Sequence, residues 1–188
     1  MYIVSFDIGS KHLAYCIEWV NSDEKEGQPR NRLQELQLLD IRAPTAEQSI
    51  RYLCECLDKE SLLPQLDLVL IEQQMRTNPG ACAIQHYIYM YFIMRTQAKI
   101  VYVPSRWKTT YGMKHIPKKM TYRERKKWAV NEATMYLTER EEPQRFLDKL
   151  KEKKADDYAD CLLQARAYCV KMGLMSSGIT STSQSEHT

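Results

Sequence analysis

The chain has 188 residues and a mass of 22.1 kDa, enough for one domain with an ordinary core and no need of disulfides or a structural metal. With 44% hydrophobic and 27% charged residues it is not a disordered chain, and its longest apolar run, Tyr87 to Met94, is too short to span a membrane. A net charge of +3 implies no polyanionic partner by itself, so the placement of the charges must decide.

The start, MYIVSFDIG, has no basic region ahead of a cleavable apolar stretch, so no secretory signal is expected and the protein is expected to be intracellular. Six cysteines, at 16, 54, 56, 82, 161 and 169, form no C-x-x-C pair and read as reduced thiols. The four histidines are scattered, without zinc spacing. Any metal would have to be held by carboxylates.

Met1 to Ile8 and Leu13 to Val20 are β-rich and apolar, with Gly9 between them, and predict a hairpin. Residues 21–31 are polar and predict a surface loop. Leu36 to Arg42 predicts a third strand of an antiparallel meander. The period then changes. Thr45 and Gln48 predict a capping box, and Ile50, Leu53, Cys54 and Leu57 an amphipathic helix over 45–60. Leu66 to Glu72 reads as a buried strand ending in a carboxylate, and 73–80 as a polar loop. Ala81 to Ala98 predicts a central helix, and Lys99 to Val103 a strand stopped by Pro104. Residues 105–121 read as an irregular loop. Thr121 to Arg140 predicts a helix with Trp128, Met135 and Tyr136 as core candidates. Ala155 to Met172 predicts the last helix, with Ala155, Ala159, Leu162, Leu163 and Val170 on its apolar face. The polar tail from Ser176 is expected to be disordered, leaving 1–175 as the domain. The order βββ-α-β-α-β-α-α implies an α/β fold, a mixed sheet with helices packed on it.

Carboxylates sit at the ends of these elements. Asp7 closes the first strand and Glu72 a later one. Near the start of the last helix, Asp157 and Asp160 share a face at i,i+3, and Asp156 and Asp160 share one equally well at i,i+4. Each has an ordinary reading: Asp7 as a turn cap, Glu72 as a strand end facing water, Asp156 and Asp157 as complements to a helix dipole. Together they could converge at one sheet edge, where like charges are costly unless cations offset them. Such hard oxygen donors suit Mg²⁺ or Mn²⁺, two of which can clamp the oxygens in phosphodiester cleavage. From 114 to 127 there are seven basic residues, Lys114, Lys118, Lys119, Arg123, Arg125, Lys126 and Lys127, against Glu124, with Tyr111, Tyr122 and Trp128 around them. Lys149, Lys151, Lys153 and Lys154 lead into the aspartates. These clusters suit a phosphate backbone, although a solvated helix face has the same composition.

FDIGSKHLAY at 6–15, LIEQQ at 70–74, YRERKK at 122–127 and KKADDYADCLLQA at 153–165 resemble the RuvC-type Holliday junction resolvases, in their poxvirus and iridovirus branch. The resemblance implies an RNase H-like fold: a mixed five-stranded sheet, antiparallel at its N-terminal strands, flanked by helices. It implies a homodimeric endonuclease that cuts paired strands of four-way DNA junctions with two Mg²⁺ per site, leaving 5′-phosphate and 3′-hydroxyl ends. If the source is a virus, the compartment would be host cytoplasm or nucleus. The family's acidic positions fall on Asp7, Glu72, Asp157 and Asp160. The basic residues from Lys114 to Lys127, with Lys153 and Lys154, would bind DNA. Bacterial members often carry a histidine in the last motif, where this chain has Lys153 and Lys154. The helix 81–98, with Tyr87, Tyr91 and Met94, would supply core and a dimer seam. Three rival readings are a sugar-kinase-like phosphotransferase, an RNase H-fold nuclease acting on RNA or flaps, and a non-catalytic DNA-binding module. The first lacks further Gly-rich phosphate loops after Gly9.

Overall fold

The computed structural model describes residues 1–9, 11–21, 31–111 and 120–175. The predicted tail from Ser176, most of the 21–31 loop and the basic residues Lys114, Lys118 and Lys119 lie outside them.

One five-stranded sheet runs through the molecule in the order β3-β2-β1-β4-β5. β1 (Tyr2–Ile8), β2 (His12–Val20) and β3 (Asn31–Asp40) form the antiparallel meander, and β4 (Leu66–Gln73) and β5 (Lys99–Pro104) run parallel to β1. β3 starts earlier than predicted, at Asn31, because its pairing with β2 reaches Val20. At the β1–β2 turn the Gly9 N–H donates to the His12 carbonyl at 2.9 Å. A Cβ on Gly9 would stand 2.9 Å from that same oxygen, closer than side chains pack.

β1 lies in the middle of the sheet, so both of its faces are covered and its residues alternate between two cores. Val4, Phe6 and Ile8 face one core with Phe92, Ile88 and Leu57 from α1 (Ala46–Asp58) and α2 (Pro79–Arg95). Ile3 faces the other, built by α4 (Tyr122–Glu139), α5 (Gln144–Lys149) and α6 (Ala155–Lys171). Caps set the helix starts. Thr45 accepts from the Gln48 N–H, and a complete capping box joins Thr121 and Glu124.

Several expectations shift. The central helix is α6, whose Cys161 to Ala165 are all buried, rather than α2, which leaves Met90, Ile93 and Met94 exposed. Met135 faces solvent while Tyr136 is buried. Ala155 and Val170 are only half-buried. The loop predicted over 105–121 contains a short helix, α3 (Trp107–Thr110), packed against α6. That packing, absent from any local pattern, orders it.

Candidate active site

Alternation along β1 puts Asp7 on the α6 face with Ser5 and Ile3. β4 sends Leu68 and Leu70 to that face, so Glu72 follows them. Parallel pairing sets Phe6 beside Ile71, which brings Asp7 and Glu72 together at the shared C-terminal edge. α6 is registered against the same strand by Gln164, whose Nε2 donates to Ser5 Oγ at 3.0 Å and to the Phe6 carbonyl at 3.2 Å. Asp160 lies one turn before Gln164, a step of about 6 Å. Asp7 lies two residues beyond Ser5, a step of about 6.6 Å. The helix turn and the strand step nearly match, so Asp160 hangs over Asp7.

A lysine holds the three together. Lys108 Nζ lies 3.1 Å from Glu72 Oε1, 3.3 Å from Asp160 Oδ1 and 3.5 Å from Asp7 Oδ1. Burial works against its charge, but Asp160, Asp7 and Glu72 outweigh burial and raise its pKa. Asp7 is pushed well above the usual carboxylate range by burial, and the Asp160 and Glu72 charges add to this against the pull of Lys108. Asp160 is raised by burial too, with Lys108 opposing. One ammonium for three carboxylates leaves the cluster short of positive charge.

The cluster opens into a cleft of about 540 Å³, also lined by Arg106, Tyr122, Arg125, Lys126, Asp156 and Asp157. Asp156 pairs with Lys126 and is held below the usual range, the Lys126 ammonium outweighing burial. Asp157 lies 3.8 Å from Lys154 and is raised by burial and by Asp156. Of the four acidic positions predicted from sequence, Asp7, Asp157 and Asp160 line this cleft, with Asp156 beside them, while Glu72 lies behind Lys108 and is tied to the group through its ammonium. Of the predicted basic residues that are described, Arg125 and Lys126 line the cleft, Lys127 and Lys153 line a neighbouring groove, and Arg123 is exposed on α4. Among the described residues, no three His, Cys, Asp or Glu side chains converge closely enough to hold a metal ion as they stand, and the Lys108 ammonium occupies the centre of the acidic group.

Sequence reasoning missed Lys108 and Arg106. One signal pointed to them. β5 stops at Pro104, and parallel neighbours end on the same edge, so the residues after Pro104 must land near Glu72.

A chain from the crystal structure of fowlpox virus resolvase with its substrate Holliday junction DNA superimposes with a TM-score of 0.65 at 22% identity, covering 92% of this chain and 99% of that one. The Thermus thermophilus RuvC structure superimposes with a TM-score of 0.62 at 15% identity, covering 93% of this chain and 98% of that one. Both likenesses are to RNase H-like folds, the mixed sheet described above. The uncharacterized protein 170L of Invertebrate iridescent virus 6 is 25% identical over 218 residues, covering 89% of this chain and 88% of that protein. The model of the family described as Poxvirus A22 protein matches residues 1–172, and the chain belongs to that family.

Proposed function

We propose that this protein is a Holliday junction resolvase, an endodeoxyribonuclease that hydrolyses phosphodiester bonds in paired strands of four-way DNA junctions. The observation that carries this reading is the meeting of Asp7, Glu72 and Asp160, from three distant parts of the chain, on one lysine at a cleft with basic walls. Family membership and the likeness to resolvase structures support it.

The donor set fits a hard divalent cation, because its ligands are carboxylate oxygens and its one central ammonium leaves negative charge uncompensated. Asp7, Glu72, Asp157 and Asp160 would hold two Mg²⁺, with Mn²⁺ able to substitute. When bound, the ions lower the pKa of the attacking water and offset charge on the phosphate. Lys108, buried and firmly protonated, donates to a non-bridging oxygen of the scissile phosphate. Arg106, Arg125 and Lys126 hold neighbouring phosphates along the cleft, joined by the basic residues of α4 and by Lys153 and Lys154. The 3′ oxygen leaves, giving 5′-phosphate ends.

Cutting paired strands needs two such clefts, and the exposed apolar residues of α2 supply a surface for a homodimer. Tyr87, Met90 and Met94 follow one another at three- and four-residue steps and are exposed, while Tyr91 is buried in the core and takes no part. The active unit is residues 1–175, working inside the cell.

Purified protein with Mg²⁺ is expected to cut a synthetic four-way junction into nicked duplexes. Asp7→Asn is expected to abolish cutting and keep junction binding. Equal cutting of linear duplex would remove the junction claim and leave a nuclease. Binding without cutting in Mg²⁺ or Mn²⁺ would remove the enzyme.

A further inference from the structure

Lys126 and Asp156 form a wall shared by two depressions. One is the acidic cleft. The other is a groove of about 320 Å³ lined by Lys127, Asn131 and Lys153. The Lys126 ammonium pairs with Asp156 Oδ2 and stands 5.0 Å from the centre of the Tyr122 ring. Its side chain is 41% exposed, whereas that of Asp156 is 18% exposed. A solvent-borne anion can therefore reach the cation more readily than a cation reaches the carboxylate. Asp156 is one turn from Asp160 on α6, so the two project along one side of the helix. Asp7, Glu72 and Asp160 share the central Lys108, but Asp156 has its counter-charge from the basic tract of a different helix.

We propose that Lys126 is a positioning residue that ties up Asp156 until a DNA phosphate enters the neighbouring groove and takes its ammonium, after which Asp156 serves as an oxygen donor to a divalent cation beside Asp160. This rests on the reading of the cleft as a metal-dependent nuclease site. A phosphate in the groove meets Lys127 and Lys153 as well as Lys126, so it competes well for the shared cation. Asp156 then loses its ion-pair partner in a partly buried place and keeps only the weaker pull of Lys154, so its charge is under-compensated and a divalent ion relieves it. By reciprocity, DNA and the metal ion each favour the binding of the other through this one lysine. A strap that only joins α4 to α6 would produce no such coupling.

A double-mutant cycle on the full chain separates the two, using Lys126→Met, Asp156→Asn and the double variant, each checked by thermal unfolding, with Lys126→Gln in reserve should the methionine variant fail to fold. In EDTA, anisotropy of a labelled four-way junction is expected to show Asp156→Asn binding about fivefold tighter than wild type. In the Lys126→Met background Asp156→Asn is expected to change nothing. Without DNA, electron paramagnetic resonance of free Mn²⁺ is expected to show Lys126→Met binding Mn²⁺ about fivefold tighter. That gain is absent when Asp156 is also replaced, and Lys126→Arg behaves as wild type. Additive effects in both readouts would overturn the proposal. Should Asp7→Asn leave Mn²⁺ binding intact, the nuclease reading fails first and takes this one with it.

Discussion

The sheet face under α6 carries two clusters of buried charge, one at each end, and they are built to different ratios. At one end Lys108 serves three carboxylates and the group opens into a cleft. At the other, Arg140 serves two: its Nη1 lies 3.1 Å from Glu18 and its Nη2 lies 2.6 Å from Glu142. Glu142 also accepts the Leu33 backbone N–H at 3.0 Å. Glu18 pairs across the strands with Ile3 and Asp7 with Ala14, so the clusters stand four residues apart along β1, about 13 Å. Both glutamates of the Arg140 cluster are fully covered, whereas the Asp160 side chain is 38% exposed. A planar guanidinium reaches two carboxylates at once and ties β2 to the turn after α4. A lysine shared among three acids leaves negative charge facing an opening. The first arrangement suits holding a fold together, and the second suits receiving cations and phosphate.

Substitution of the two central cations breaks the comparison most directly. Lys108→Met is expected to lower the rate of junction cutting by about 10²–10³-fold, the scale of losing one preorganised donor to developing charge. Its melting temperature in EDTA should change little, because Asp7 and Asp160 relax by taking up protons beside the open cleft. Single-turnover cutting and calorimetry check the two halves, and a Lys108→Met protein that cuts normally would move the chemistry elsewhere.

Arg140→Met is expected to do the reverse. It strands two buried glutamates and should cost about 3–5 kcal/mol of stability, read from urea unfolding. Below its melting temperature the variant should cut junctions at the rate of the parent. A large loss of rate in the folded variant would mean that the two ends are coupled through α6.

The smallest expected effect concerns alkaline pH. Tyr158 is buried at the start of α6, and burial, helped by the Glu152 charge and hydrogen bond, pushes its pKa up to about 12. Tyr136, against Arg140, is raised by burial and by Glu18. A folded-state pKa above the unfolded value near 10 means stability fully present below about pH 10 and lost as pH rises toward 12 and beyond. Melting scans from pH 9 to 12 should show that decline, with Tyr158→Phe flattening part of it. A flat profile over that range would contradict the shifts.

Much of this was legible along the chain. β-rich apolar runs parted by Gly9 and a polar loop foretold the meander, and the Thr45 cap foretold the start of α1, because these signals act within a few residues of each other. The acidic positions were visible as carboxylates where apolar strands stop. Their family resemblance selected Asp157 with Asp160, but the chain alone left Asp156 as good a partner. The structure keeps all three in view, each with a different lysine. Reading α2 as the central helix went wrong, although it does bury Ile88, Tyr91 and Phe92 in the core, because composition reports how apolar a helix is and not which neighbours cover it. α2 is apolar on nearly every side, yet Met90 and Met94 meet no other part of the described chain that hides them.

What the residues determined by themselves was local: strand or helix, where each begins, and which side chains carry charge at an end. Lys108 belongs to the other category. Its place among Asp7, Glu72 and Asp160 depends on parallel pairing of β1, β4 and β5 and on the seating of α6 by Gln164 over Ser5, contacts between residues up to 159 positions apart. Sheet register and helix seating are set by burial of whole faces summed over the fold. No window of sequence contains that sum, so the meeting of three acids on one ammonium was decided by the tertiary structure alone.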